Sequence, residues 1–161
     1  MGRSGDTPAK TRDPITLAGL VLESATGLRR EVGPALERDY GLPSQSFEVL
    51  IRLARSPGQR LRMSDLSSQT ALTPSGLTRA IDRLCDAGLA TRQACPEDRR
   101  GSFAVLTSIG QDKMAAALGC HRDQLAALFE GLFDDGEWAT LLGLLERLRD
   151  RVSPEAARIT P

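Results

Sequence analysis

From Ile15 onward, Leu17, Leu20, Val21, Leu28, Val32 and Leu36 recur at steps of three and four. That spacing paints one face of a helix. Gly33-Pro34 falls inside the run. A proline there removes a backbone hydrogen bond and crowds the preceding turn, so a kink or break is expected. Tyr40-Gly41 stops the element. A second helix opens at Leu42-Pro43-Ser44, carries Phe47, Leu50, Ile51 and Ala54 on one face, and ends at Ser56-Pro57-Gly58. Leu61-Arg62-Met63 reads as a small strand. Ser64 reads as the N-cap of a brief helix over 65–70, with Leu66 inward.

Thr73-Pro74 is a strong start signal, with a hydroxyl at the cap and proline at the first helical position. The helix it opens is expected to run to Ala87, with Gly88 in the left-handed position past its end. Leu77, Ala80, Ile81, Leu84 and Cys85 form its apolar stripe. The opposite face carries Ser75, Gly76, Thr78, Arg79, Asp82, Arg83 and Asp86. The period then changes. L-A-T-R-Q-A-C and S-F-A-V-L-T read as two short strands around a charged loop, C-P-E-D-R-R-G. From Thr107 the helical period returns, with Met114, Ala117, Leu118, Leu125, Leu128 and Leu132 on a helix of over twenty residues. Asp134-Asp135 caps a last helix with Trp138, Leu141, Leu142, Leu145, Leu148 and Val152 on one face.

The predicted fold is therefore mainly α with a small antiparallel β-hairpin. Residues 1–13 are polar and rich in Gly, Pro, Ser and Thr, and are expected to form a disordered tail. Residues 14–154 are expected to form a single domain, since 161 residues leave little room for two cores. No run approaches the ~18 apolar residues of a membrane span, and the first residues lack the apolar core of a signal peptide. Three cysteines, Cys85, Cys95 and Cys120, form no close pair, which argues for free thiols in a reducing cytoplasm. With one histidine, His121, and no C-x-x-C, neither a metal nor another cofactor is expected. No paired-carboxylate, Ser-His-Asp or phosphate-loop pattern points to an enzyme.

Net charge is zero, but its distribution is uneven. Residues 55–101 carry eight arginines, at 55, 60, 62, 79, 83, 92, 99 and 100, against five acids. Residues 111–161 carry nine acids against six basic groups. The positive excess is central and made only of arginine, the side chain suited to bidentate contact with phosphate and guanine.

Two short helices joined by a tight turn, the second polar on its outer face, make a helix-turn-helix. A hairpin directly after the second helix makes it winged. A helix lying in the major groove presents its first turns to base edges. Ser75, Gly76, Thr78 and Arg79 are the candidates there, and Arg83, one turn later, is placed to reach phosphate; Thr73 and Pro74 at the helix start and Ser64 at the start of the preceding helix are further DNA-binding candidates. At the hairpin, Arg99 and Arg100 suit the concentrated negative potential of the minor groove. Asp98 suits a role within the turn, accepting backbone N–H groups or orienting a guanidinium.

The runs T-P-S-G-L-T-R-A-I-D-R-L-C-D-A-G-L and P-E-D-R-R-G-S-F-A-V-L-T-S-I-G resemble the MarR family of winged helix-turn-helix regulators. Asp98, Arg100, Leu106, Thr107 and Gly110 match the family's wing pattern. Ala104 stands where the family usually has Val, and Cys95-Pro96 replaces the commoner Asp-Pro. The resemblance implies a winged lobe at about 43–107, dimerisation helices at about 14–39 and 108–152, and a homodimer. It implies a cytoplasmic, DNA-binding repressor of transcription that recognises a palindromic operator. It also implies release by a small aromatic or phenolic effector in a cleft, for which Tyr40 and Phe47 are candidate lining residues. Other members sense oxidants through a cysteine in the first helix; this chain has none before Cys85, and Cys95 beside the wing is the position to examine. The competing reading is a winged-helix protein-interaction module without DNA binding.

Overall fold

The computed structural model describes residues 13–95 and 98–155, with only the backbone described at 98–100. The expected tail lies outside these residues except for Asp13, which belongs to the fold. Its carboxylate accepts from the backbone N–H of Ile15 and Thr16 at 3.1 and 3.0 Å, and so caps the first helix. That helix, α1, is Pro14–Tyr40. It runs on through Pro34, where a kink or break was expected. The carbonyl that loses its partner is that of Arg30. Arg30 and Pro34 both face solvent, where water can take the lost bond. Gly33 has a separate reason: a Cβ there would stand 2.7 Å from the Ser44 hydroxyl, so its bareness lets the next helix approach.

The remaining elements follow in order. Helix α2 is Ser44–Ala54, strand β1 Arg60–Arg62, helix α3 Met63–Gln69 and helix α4 Pro74–Asp86. Strands β2 (Ala90–Cys95) and β3 (Asp98–Leu106) form the hairpin. Helices α5 (Ser108–Phe129) and α6 (Asp135–Val152) complete the chain. Helix α4 ends one residue earlier than expected, and Gly88 takes the left-handed conformation, φ 70°. Helix α5 ends before Leu132, at Phe129.

The sheet is antiparallel with order β1-β3-β2. Its inner face and the stripes of α2, α3 and α4 close one core: Leu42, Phe47, Val49, Leu50, Leu53, Leu66, Leu77, Ala80, Ile81, Leu84, Ala104 and Leu106. Ala104 is wholly buried, so the small residue at that wing position is a packing choice. The join to α5 is tight. Thr107 donates its hydroxyl to the Gly88 carbonyl at 2.8 Å and accepts from the Gly110 N–H at 3.0 Å. A Cβ on Gly110 would lie 2.0 Å from the Leu89 carbonyl oxygen. Two residues of the resemblance pattern, Thr107 and Gly110, thus serve to bolt the hairpin to the helix behind it.

Helix α6 opens on a capping box: Asp134 accepts from the N–H groups of Gly136 and Glu137, and the Glu137 carboxylate accepts from the Asp134 N–H. None of its residues is buried. No described helix is long and apolar enough to cross a membrane.

Candidate nucleic-acid interface

Helix α4 is built to expose a polar face. Thr73 accepts from the Gly76 N–H at 3.2 Å, satisfying a first-turn donor. Leu77, Ala80, Ile81 and Leu84 anchor the rear. Ser75, Thr78, Arg79 and Arg83 then face solvent, together with Thr73 and Pro74 at the start. Thr78 donates its hydroxyl to the Pro74 carbonyl at 3.0 Å. Gly76 was expected on this face. It is buried instead, because it sits under the cap, where a Cβ would lie 3.1 Å from the Thr73 hydroxyl. Its part is to close the first turn, not to meet a ligand. Ser64 also departs from expectation. Arg62 holds the N-cap position of α3 with no side-chain cap bond, and Ser64 is an exposed first-turn residue.

The hairpin is longer than its sequence suggests. The strands pair regularly from Ala90↔Leu106 to Ala94↔Ser102, and then the register jumps to Cys95↔Asp98. Three residues of β3, Arg99, Arg100 and Gly101, are left without opposite numbers on β2. Asp98, Arg99 and Arg100 therefore belong to an irregular strand rather than to a loop, and their side chains lie outside the described residues. Such bulges sharpen twist and re-aim side chains.

An ion pair ties hairpin to helix: Arg92 on β2 donates to Asp82 on α4 at 2.7 Å. A strand residue and a helix residue ten positions apart meet only once the hairpin folds back. Cys95, beside the wing, is 4 % exposed. Cys85 is half-buried, and that burial pushes its thiol pKa up. The Cys85 environment disfavours the thiolate that oxidant sensing needs, and Cys95 is buried away from a dissolved oxidant.

Behind this surface lies a cavity of about 490 Å³, between α1, α5 and the α2 end of the lobe. Leu36, Phe47, Ile51, Leu72 and Leu125 give it an apolar floor, and Arg29, Arg52, Arg55, Glu48 and His121 give it polar edges. Phe47 lines it as expected; Tyr40 does not. Tyr40 comes at the end of α1 and packs on the core, its hydroxyl beside the Cys120 thiol. His121 lies edge-on to Phe47, centroids 5.1 Å apart, with its Nδ1 buried and without a partner among the described residues. Burial lowers its pKa. The cavity also touches the recognition turn, because Glu48 accepts from the Ala71 N–H at 3.2 Å.

The comparisons agree with this architecture. The model of the MarR family matches residues 40–101, from the end of α1 to the wing. AbsC, a MarR family transcriptional regulator from Streptomyces coelicolor, is 30 % identical; the match covers 86 % of this chain and 93 % of AbsC, with a TM-score of 0.73. The chain belongs to the MarR family of transcriptional regulators. Sco3205, a MarR family regulator from the same organism solved in complex with DNA, is 29 % identical over 90 % of this chain and 91 % of its own, with a TM-score of 0.75. The HTH-type transcriptional repressor YetL of Bacillus subtilis is 28 % identical over 111 residues, which span 67 % of this chain and 66 % of YetL. Membership in the MarR family makes the chain a regulator rather than an enzyme.

Proposed function

We propose that this chain binds duplex DNA sequence-specifically as a homodimer and represses transcription until a small-molecule effector releases it. The observation that carries the reading is the exposed row of Ser75, Thr78, Arg79 and Arg83 on α4, held rigid by a capped start and a buried rear stripe. Hydroxyls and a guanidinium on one helix face suit base edges and phosphates in the major groove. Arg99 and Arg100 then serve the adjacent minor groove, and Asp98 the turn. The neighbour solved with DNA supports this use of the fold, and the name of YetL supports repression.

Two further observations support the dimer and the effector. Ile15, Leu17, Leu20 and Leu22 on α1, and Trp138, Leu142, Leu144 and Leu145 on α6, are exposed apolar side chains. A second copy would cover them, and its two-fold axis would demand a palindrome with half-site centres ~10 bp apart. The cavity between α1, α2 and α5, with its apolar floor and arginine-rich edge, suits a small aromatic effector bearing a negative charge.

Selection of bound duplexes from genomic fragments tests the reading. The expected result is a two-fold-symmetric sequence. Arg79→Ala should then cost ~1–3 kcal/mol of affinity and relax the preference at one position of each half-site. A selection that enriches no symmetric sequence would overturn the proposal and leave an interaction module.

A further inference from the structure

The outer face of the sheet carries an arrangement that the recognition helix and wing tip do not use. Arg60 and Arg62 alternate with Leu61 on β1, so both project from the face opposite the core. Both guanidinium groups lie over the ring of Phe103 on β3, with Cζ 5.1 Å from the ring centroid for Arg60 and 5.5 Å for Arg62. Two like charges two residues apart on one strand repel. Sharing the negative face of an aromatic ring offsets that repulsion and holds both groups in place.

Their position along the wing matters. Arg62 pairs directly with Phe103, whereas the backbone of Arg60 pairs with Val105, two residues further from the tip. The Arg60 guanidinium nevertheless meets the Phe103 ring, so both charges gather at the same rung. Phe103 follows Arg100 by three residues, at most ~10 Å along an extended strand. The minor groove is ~7.5 Å deep. With the Arg100 guanidinium at the floor, the backbone there stands near the phosphates that wall the groove and the Phe103 rung up to ~10 Å further out, where extended arginine side chains approach the flanking phosphates but not the bases.

We propose that Arg60 and Arg62, held on Phe103, form a phosphate-binding platform that grips the DNA backbone flanking the minor groove. This rests on the reading of the chain as a DNA-binding protein. The platform adds affinity and salt dependence but reads no sequence. Arg62 also keeps its other contacts within the protein, and the platform does not require it to lack them.

The test is the salt dependence of full-length protein on its selected duplex, by fluorescence anisotropy. Each phosphate contact contributes about 0.9 to the slope of log affinity against log salt. In the dimer, with two contacts from each copy, Arg60→Gln/Arg62→Gln should reduce the slope by up to ~3.6, so that its deficit against the wild type shrinks by up to roughly a hundredfold between 50 and 200 mM salt. Its base preferences should match the wild type. Phe103→Leu leaves the net charge unchanged and should still reduce the slope, because the arginines lose their support. Arg30→Gln, an exposed charge on α1, should leave the slope alone. An unchanged slope in the double variant, an equal loss in Arg30→Gln, or relaxed base preference would each overturn the platform while the DNA reading stands. A wild-type chain that retains no duplex overturns both. The melting temperature of each variant, expected within a few degrees of the wild type, separates lost contacts from lost folding.

Discussion

Leu50 on α2 is wholly buried, whereas Leu145 on α6 is 43 % exposed. Both sit on apolar stripes that repeat every three or four residues. In the winged lobe the stripes of α2, α3 and α4 meet one another and the inner face of the sheet, and the core closes within one chain. Helix α6 and the first half of α1 carry the same pattern and bury almost nothing. An apolar stripe declares that a helix wants a partner surface; it does not say whether that surface lies in the same chain. Here the lobe satisfies itself, and the two outer helices are left for the second copy proposed above.

The largest expected effect breaks this contrast at its open end. Leu142→Asp/Leu145→Asp should dissociate the dimer. Each leucine forfeits ~1.5–3 kcal/mol of burial and the two-fold axis repeats both, so association should weaken by at least ~10⁴-fold. Sedimentation velocity should show a monomer, and far-UV circular dichroism the wild-type helical content. A dimer of undiminished affinity would mean that α6 is not in the interface.

The next effect probes the closed region where it joins α5. Gly110→Ala sets a methyl group 2.0 Å from a backbone carbonyl that cannot swing aside. Overpacking of this kind costs ~1–3 kcal/mol or more, and thermal melting should record it in the lobe. Wild-type melting would show that the hairpin and α5 have slack at this joint.

The smallest effect lies at the boundary between the two regions, where His121 of α5 packs on Phe47 of α2. Burial holds its pKa below 6.5, so the folded chain resists the proton more than the unfolded chain does. The stability that neutral His121 contributes is full above pH 6.5 and falls as pH drops through it. His121→Gln should flatten this part of the melting-temperature profile between about pH 7 and 5. Parallel profiles for the two proteins would remove His121 as the titrating group.

Much of the fold was legible because its signals are local. Thr73-Pro74, Thr107 and Asp134 each cap the helix that their hydroxyl or carboxylate announces, through bonds two or three residues away. The stripe of α4 was readable for the same reason. Signals failed where a distant element decided the outcome. Pro34 did not break α1, since its unmade bond faces water. Gly76 left the exposed face to fit beneath the Thr73 cap. Tyr40 and Phe47 were grouped as aromatics of one cleft, but the turn at Gly41 sends them to different places. The pairing of Arg92 with Asp82 and the gathering of Arg60 and Arg62 on Phe103 had no linear spacing to betray them. Both depend on strand register.

The sequence by itself determined the order of helices and strands, their caps, the polar face of α4 and the apolar faces that need cover. These follow from backbone hydrogen bonding and residue periodicity over one or two turns. Only the tertiary structure decided which apolar faces close within the chain, that Cys95 is buried, where a 490 Å³ cavity opens and which arginines share a ring. Those outcomes depend on close packing between segments far apart in the chain, where a shift of one residue in register turns a side chain to the opposite face.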